Sequence, residues 1–292
     1  MIIDKPAGIT SHDVVARVRR VLRTKRVGHT GTLDPFATGL MVILVGRATR
    51  LAQFLDKDEK EYEAVVQFGF ETDTGDNMGS PRSQVQGPMS IEIGQLEQAL
   101  AKFRGTIMQT PPMYSAKKVE GKKLYELARR GVEIERKAVR VEIRELELLD
   151  PAFRTSPSAS RIRVVCSAGT YIRTLAEDIG REVGLGAHLT ELRRTRAGRF
   201  KIVQAVTLDE LQGSPSPAEH LRSIWEAVED LPEFVLSEDR VAKTLNGMST
   251  RDRSGRFAEG ERIRMTSPAG ELIAIGIYVD SEKVIQPKVV LG

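Results

Sequence analysis

The stretch Gly28-His29-Thr30-Gly31-Thr32-Leu33-Asp34-Pro35-Phe36-Ala37-Thr38-Gly39 places three glycines, a proline, a histidine and one carboxylate between two apolar runs. Glycine opens backbone conformations closed to other residues, and Pro35 biases Asp34 away from the helical region. The segment therefore reads as a turn that displays the Asp34 carboxylate. Downstream, Leu40-Met41-Val42-Ile43-Leu44-Val45 is a continuous apolar run of strand length and reads as a buried strand. An Asp-Pro turn with no chemistry fits the same residues, as does a loop that cradles phosphate. Against the phosphate loop stand the missing Walker lysine and the strand, rather than a helix, that follows.

Seven further segments bear on the choice. They are Asp4-Lys5-Pro6-Ala7-Gly8-Ile9-Thr10-Ser11, the Tyr62 segment Lys60-Glu61-Tyr62-Glu63-Ala64, Thr72-Asp73-Thr74-Gly75-Asp76, and Pro111-Pro112-Met113-Tyr114-Ser115-Ala116-Lys117-Lys118. Then come Gly121-Lys122-Lys123-Leu124-Tyr125-Glu126-Leu127-Ala128-Arg129, Gly169-Thr170-Tyr171-Ile172-Arg173-Thr174-Leu175, and Leu192-Arg193-Arg194-Thr195-Arg196-Ala197-Gly198-Arg199-Phe200. With the Asp34 loop, and in this order, they resemble the TruB-type tRNA pseudouridine synthases over most of residues 1 to 230. One short motif arises by chance; seven in register do not.

Composition is compatible with that resemblance. At 292 residues the chain exceeds the usual size of a single core, so a large domain plus a small one is expected. With 40% hydrophobic and 29% charged residues it has the balance of a water-exposed globular protein. No apolar run reaches bilayer length, and neither a membrane span nor a signal peptide is expected. The single cysteine, Cys166, excludes an intrachain disulfide and a cysteine-cluster metal site. Within the apolar Val164-Val165-Cys166 run it reads as a small core residue, in keeping with a reducing cytoplasm.

The net charge of +4 is modest, and its distribution says more. Arg17, Arg19, Arg20, Arg23, Lys25 and Arg26 precede the Asp34 loop. Lys117, Lys118, Lys122, Lys123, Arg129 and Arg130 form a second cluster, and Arg193, Arg194, Arg196, Arg199 and Lys201 a third. Any one could be a solvated face; three beside motif segments point to phosphate contacts with a nucleic acid.

Patterning supplies a scaffold. Thr10 or Ser11 caps a helix through about Arg23, with Val14, Val15, Val18, Val21 and Leu22 on one face. Residues 48 to 56, 90 to 103 and 218 to 228 read as further amphipathic or helical segments, and 61 to 70, 137 to 149 and 161 to 168 as strands. Strands and helices alternate irregularly rather than as βαβ units, so an α+β class with a mostly antiparallel sheet is expected. After Leu231-Pro232, a helix over 237 to 245 and strands near 261 to 266, 271 to 279 and 283 to 290 suggest a small β-rich module. The resemblance refines this to a pseudouridine synthase fold, a mixed sheet flanked by helices, over residues 1–231. It adds an RNA-clamping insertion at about 109–137 and a PUA-like RNA-binding domain at 232–292.

The resemblance also implies an activity: isomerisation of uridine to pseudouridine at position 55 of the tRNA T-loop. No cofactor and no metal are expected, with tRNA as partner, no obligate protein partner, a monomeric state and a cytoplasmic location. Asp34 takes the role of catalytic carboxylate, Arg173 that of its cationic partner, and Tyr62 stacking and proton transfer. Tyr171 supports the pair, Leu192 walls the pocket, His29 fills the gap left by the extruded uridine, and Lys122 and Lys123 meet the RNA. By residue type alone, both tyrosines and Leu192 could equally be core residues. His29 shows no ligand spacing with His12, His188 or His220.

Overall fold

The computed structural model describes the chain except residues 57, 85–90, 116–117, 120–121, 129–130, 133, 150–157 and 292; the side chains at 83–84, 118–119, 122–123 and 125–126 also lie outside the description. From the N-terminus run β1 (Ile2–Lys5), α1 (Ser11–Val21), β2 (Val27–His29), β3 (Thr38–Val45), α2 (Ala52–Leu55) and β4 (Lys60–Phe68). Next come β5 (Phe70–Thr72), β6 (Pro81–Gln84), α3 (Ile93–Lys102), β7 (Gly105–Gln109), β8 (Lys118–Val119), β9 (Lys122–Lys123) and α4 (Leu124–Ala128). They are followed by β10 (Val139–Leu148), β11 (Ala159–Cys166), α5 (Ile172–Glu182), β12 (Ala187–Ala197), β13 (Phe200–Lys201), β14 (Val206–Thr207) and α6 (Leu208–Gly213).

A ten-stranded sheet of order β14-β1-β3-β12-β4-β11-β10-β7 carries the first part, with β13 beside β12 and β2 beside β3. Its pairings are antiparallel except β1 with β14 and β3 with β12. This is the expected α+β, mostly antiparallel mixed sheet. Along β4 the residues alternate, with Lys60, Tyr62, Ala64, Val66 and Phe68 buried, as a strand with one covered face requires. Strand β3 is apolar on both sides. Met41 and Ile43 belong to the apolar cluster that also takes in residues of α1, α3, α5 and α6, while Leu40, Val42 and Leu44 belong to a second one.

Helix α1 begins at Thr10 in a reciprocal capping box: Asp13 N donates to Thr10 Oγ1 at 3.1 Å, and Thr10 N to Asp13 Oδ2 at 2.8 Å. It stops at Val21, earlier than expected, because Arg23 takes a left-handed φ of +49°. The expected helix over 48 to 56 is a 3-10 segment (Gly46–Leu51) leading into α2, and 218 to 228 forms two short 3-10 turns instead of a helix. The latter still packs inward: Val228 and Ile224 belong to the second apolar cluster.

Beyond residue 231 lie β15 (Glu233–Val235), α7 (Glu238–Leu245), β16 (Thr250–Arg251), β17 (Arg262–Thr266), β18 (Leu272–Val279) and β19 (Val284–Val290). The strands form a five-stranded sheet around its own core of Leu236, Ile263, Met265, Tyr278 and Ile285, the small β-rich, PUA-like unit expected. It is fastened to the first sheet. Ile275, Val289 and Leu291 share the second cluster with Leu40, Val42 and Leu44, and Arg262 Nη1 donates to Phe54 O at 2.7 Å.

The residues 109–137 leave and re-enter the sheet at one place, because Gln109 is paired with Val139 across β7 and β10. Within it, β8 and β9 make a short hairpin before α4.

A candidate active site around Asp34

The turn between β2 and β3 is fixed from both sides. Ser11 Oγ donates to Leu33 O at 3.0 Å and accepts from Leu33 N at 2.8 Å. Lys5, fully buried, spends its Nζ on the carbonyls of Pro6 (2.8 Å), Ile9 (2.8 Å) and Pro35 (3.2 Å). Burial lowers its pKa to about 8, against the pull of Asp34. At the end of the turn Gly39 has φ +103°, and an added Cβ would lie 2.3 Å from Arg194 O. Only glycine lets β3 approach β12 there.

Arg173, on the first turn of α5, meets the carboxylate with two donors: Nε to Oδ2 at 2.9 Å and Nη2 to Oδ1 at 3.2 Å. Its side chain is 4% exposed, whereas that of Asp34 is 32% exposed. The guanidinium is itself held: Nη1 donates to Thr74 O at 2.6 Å and stands 3.6 Å from Asp76 Oδ2, and Nη2 donates to Tyr114 O at 2.7 Å. Such a planar, bidentate geometry is particular to arginine. Gly75, at φ +74°, brings the turn so close to α5 that an added Cβ would sit 3.2 Å from Arg173 Cβ. Burial raises the pKa of Asp34, Arg173 opposes the rise, and Asp76 adds to it.

Asp34, Tyr62, Tyr171, Arg173, Leu192 and Arg194 line one cavity of about 250 Å³. Tyr62 sits on β4, its phenol pKa raised by burial and opposed by the neighbouring Arg194. Tyr171 caps α5. Its N–H donates to Gln109 Oε1 at 2.7 Å, and its carbonyl accepts from Gln109 Nε2 at 3.0 Å, which ties α5 to the root of the 109–137 segment. Burial raises the Tyr171 pKa, with Ser115 opposing. An aromatic ring, a carboxylate and two guanidinium groups around one small cavity can bind a flat base, hold a sugar carbon near a carboxylate and neutralise charge.

His29 lies at the end of β2, outside the cavity lining, and its Nδ1 accepts from Gly31 N at 3.2 Å. That acceptor role and a pKa lowered by burial and by Arg194 both favour the neutral ring. Lys122 and Lys123 form β9, but their side chains lie outside the described residues, as do those of the rest of the second basic cluster. The third cluster is largely consumed internally. Arg193 pairs with Asp4 at 2.7 Å, Arg196 with Glu59 at 2.7 Å and Arg199 with Glu229 at 2.6 Å, and Arg194 is buried. By contrast, Arg20, Arg23, Lys25 and Arg26 near α1 are exposed and make no ion pair among the described residues. The sequence assigned no role to Lys5 or Asp76 and counted Arg194 among the phosphate-contacting arginines, which its burial contradicts. All three stand inside quoted motifs, so that placement was the available signal.

A model of the TruB family pseudouridylate synthase N-terminal domain matches residues 19–172, and one of the tRNA pseudouridylate synthase B C-terminal domain matches 173–231. The chain belongs to the TruB family. It is 42% identical over 283 residues to tRNA pseudouridine synthase B of Bacillus pumilus, covering 94% of this chain and 91% of that one. To the Bacillus subtilis protein of the same name it is 39% identical over 281 residues, with the same two coverages. In shape the TruB-family chain resembles a chain of the Cbf5-Nop10-Gar1 complex with a TM-score of 0.77 at 26% identity, over 100% of this chain and 84% of that one. Cys166 is buried, and burial pushes its thiol up to about 12, so it is an unreactive packing residue. Among the described residues no helix is long and apolar enough to cross a membrane.

Proposed function

We propose that this chain isomerises uridine to pseudouridine in tRNA, at position 55 of the T-loop. The observation that carries the reading is the Asp34 carboxylate gripped by Arg173 at a cavity beside Tyr62, in a chain of the TruB family. The reaction breaks the N1–C1′ bond, turns the base and joins C5 to C1′, while the C5 proton is exchanged for one on N1. Redox balance is unchanged, so the chemistry requires a placed carboxylate and no cofactor.

In this reading Asp34 acts at the nucleoside, as nucleophile or as charge and proton-transfer partner. Arg173 keeps the carboxylate aimed, although burial raises its pKa. Tyr62 and Leu192 enclose the base, Tyr171 supports α5, and His29 stacks where the uridine has left its RNA loop. The 109–137 segment with Lys122 and Lys123, the α1 arginines and the unit after residue 231 supply RNA contacts to a cytoplasmic monomer. The decisive measurement is pseudouridine formation in a T-stem-loop RNA by catalytic amounts of protein, with Asp34→Asn as control. Stoichiometric binding without turnover would make the chain a tRNA-binding factor instead.

A further inference from the structure

Three cations, Lys60, Arg173 and Arg194, line the cavity, and a fourth, Lys5, stands behind the Asp34 turn; all but Arg194 have their charge or their donors used within the protein. Arg173 is paired with Asp34 and stands beside Asp76. Lys5 is bonded to three carbonyls, and Lys60 Nζ to the carbonyls of Asp56 and Asp58. Arg194 differs. It is 3% exposed, its Nε donates to Leu40 O at 2.7 Å, and its Nη2 donates to Gly31 O at 3.1 Å. Among the described residues no carboxylate pairs with it. The fork has five N–H groups, more than these two carbonyls and its hydrogen bond with the Tyr62 hydroxyl consume, and the residue lines the cavity next to Tyr62, its cross-strand partner in β12 and β4. Burying an uncompensated guanidinium is costly, and the cost is offset where an anion forms beside it.

The proposed reaction forms such an anion. When N1–C1′ breaks, the electron pair leaves with N1 and spreads over O2 and O4. If Asp34 instead adds first to C6, the pair moves to C5 and O4. Either way, negative charge builds on the uracil ring in the interval between breaking N1–C1′ and making C5–C1′, and the isomerisation is complete once C5 has lost its proton and N1 has gained one. Arg173 is engaged with the carboxylate, and Arg194 is the cation beside the ring's platform. We propose that Arg194 stabilises the negative charge developing on the uracil ring, in addition to bracing the Asp34 turn through Gly31 and Leu40.

This inference rests on the pseudouridine synthase reading, and its test separates the two. Single-turnover rates are measured for the parent, Arg194→Gln and Arg194→Lys on saturating T-loop RNA carrying either uridine or 5-fluorouridine at the target, following loss of the substrate nucleoside. Fluorine withdraws electrons and stabilises the base anion by itself. The Gln variant should lose about 10²- to 10³-fold on uridine, as when one preorganised donor is removed, and distinctly less on 5-fluorouridine, with RNA affinity near the parent's. The Lys variant, which keeps the charge, should fall between. Equal losses on both substrates, or no loss, overturn the proposal and leave Arg194 as a brace. Should the Gln variant fail to fold, the same ratio in the Lys variant decides. A parent inactive on uridine would sink the functional reading instead.

Discussion

Lys5 Nζ donates to the carbonyl of Pro35, the residue that follows Asp34, at 3.2 Å, and through the same ammonium to Pro6 and Ile9. One buried cation thus closes the N-terminal loop onto the turn that carries the carboxylate. Lys5→Met would keep the stem but leave three carbonyls without their donor. We expect a loss of about 1–3 kcal/mol in denaturant unfolding, a lower kcat and little change in RNA affinity. Unchanged stability would show that water replaces the ammonium without cost.

The Asp34 and Arg173 pair predicts the acid limb of the pH profile. Asp34 must be ionised to act, and its pKa lies above the ordinary 3.8 because burial outweighs Arg173. Single-turnover rates should therefore rise with pH through a midpoint above 3.8. In Arg173→Gln that midpoint should move further up, since the group that pulled it down is gone. A midpoint that does not respond to Arg173 would mean a different group titrates. Asp34→Asn should be inactive at every pH while still binding RNA.

Glu177 lies one turn beyond Arg173 on α5, under the turn that holds the guanidinium, and burial raises its pKa from 4.5 to about 7. The folded state holds this proton more tightly than the unfolded chain. Its contribution is therefore full below pH 4.5 and is lost as pH rises to about 7 and beyond. Glu177→Gln should be more stable than the parent at pH 8, by at most about 3 kcal/mol, with the gap closing toward pH 4.5. Melting curves at pH 5 and pH 8 that differ equally in both proteins would contradict this.

Tyr62 offers a ring and a hydroxyl to the cavity. If the hydroxyl moves a proton, Tyr62→Phe loses single-turnover chemistry and keeps binding. If the ring alone serves, Phe works and Leu fails. A fully active Leu variant would remove both roles.

The unit after residue 231 covers an apolar face of β3. Ending the chain near Leu231 would expose Leu40, Val42 and Leu44, so we expect a marked loss of stability as well as weaker RNA binding. Val289→Ala, a milder probe, should cost about 0.5–2 kcal/mol in the intact chain. A truncated protein melting like the parent would show the two sheets to be independent.

The sequence by itself determined the mixed α+β class, the strand after the Asp34 turn and the strand over 61 to 70 that carries Tyr62. These rest on local chemistry: proline and glycine limits on the backbone, and apolar periods of two or 3.6 residues. With the motif resemblance it also named Asp34, Arg173, Tyr62, Tyr171 and Leu192, which the fold brings around one cavity. What the tertiary structure decided is how the charges are spent. Arg193, Arg194 and Arg196 are near neighbours in one basic run, yet one pairs with Asp4, one lies buried beside Tyr62 and one pairs with Glu59. Composition cannot separate them, because their partners lie more than 100 residues away and are selected by the register of β12 against β3 and β4. A strand's period of two turns neighbouring side chains to opposite faces, and only the assembled sheet determines which face meets solvent, a carboxylate or the cavity.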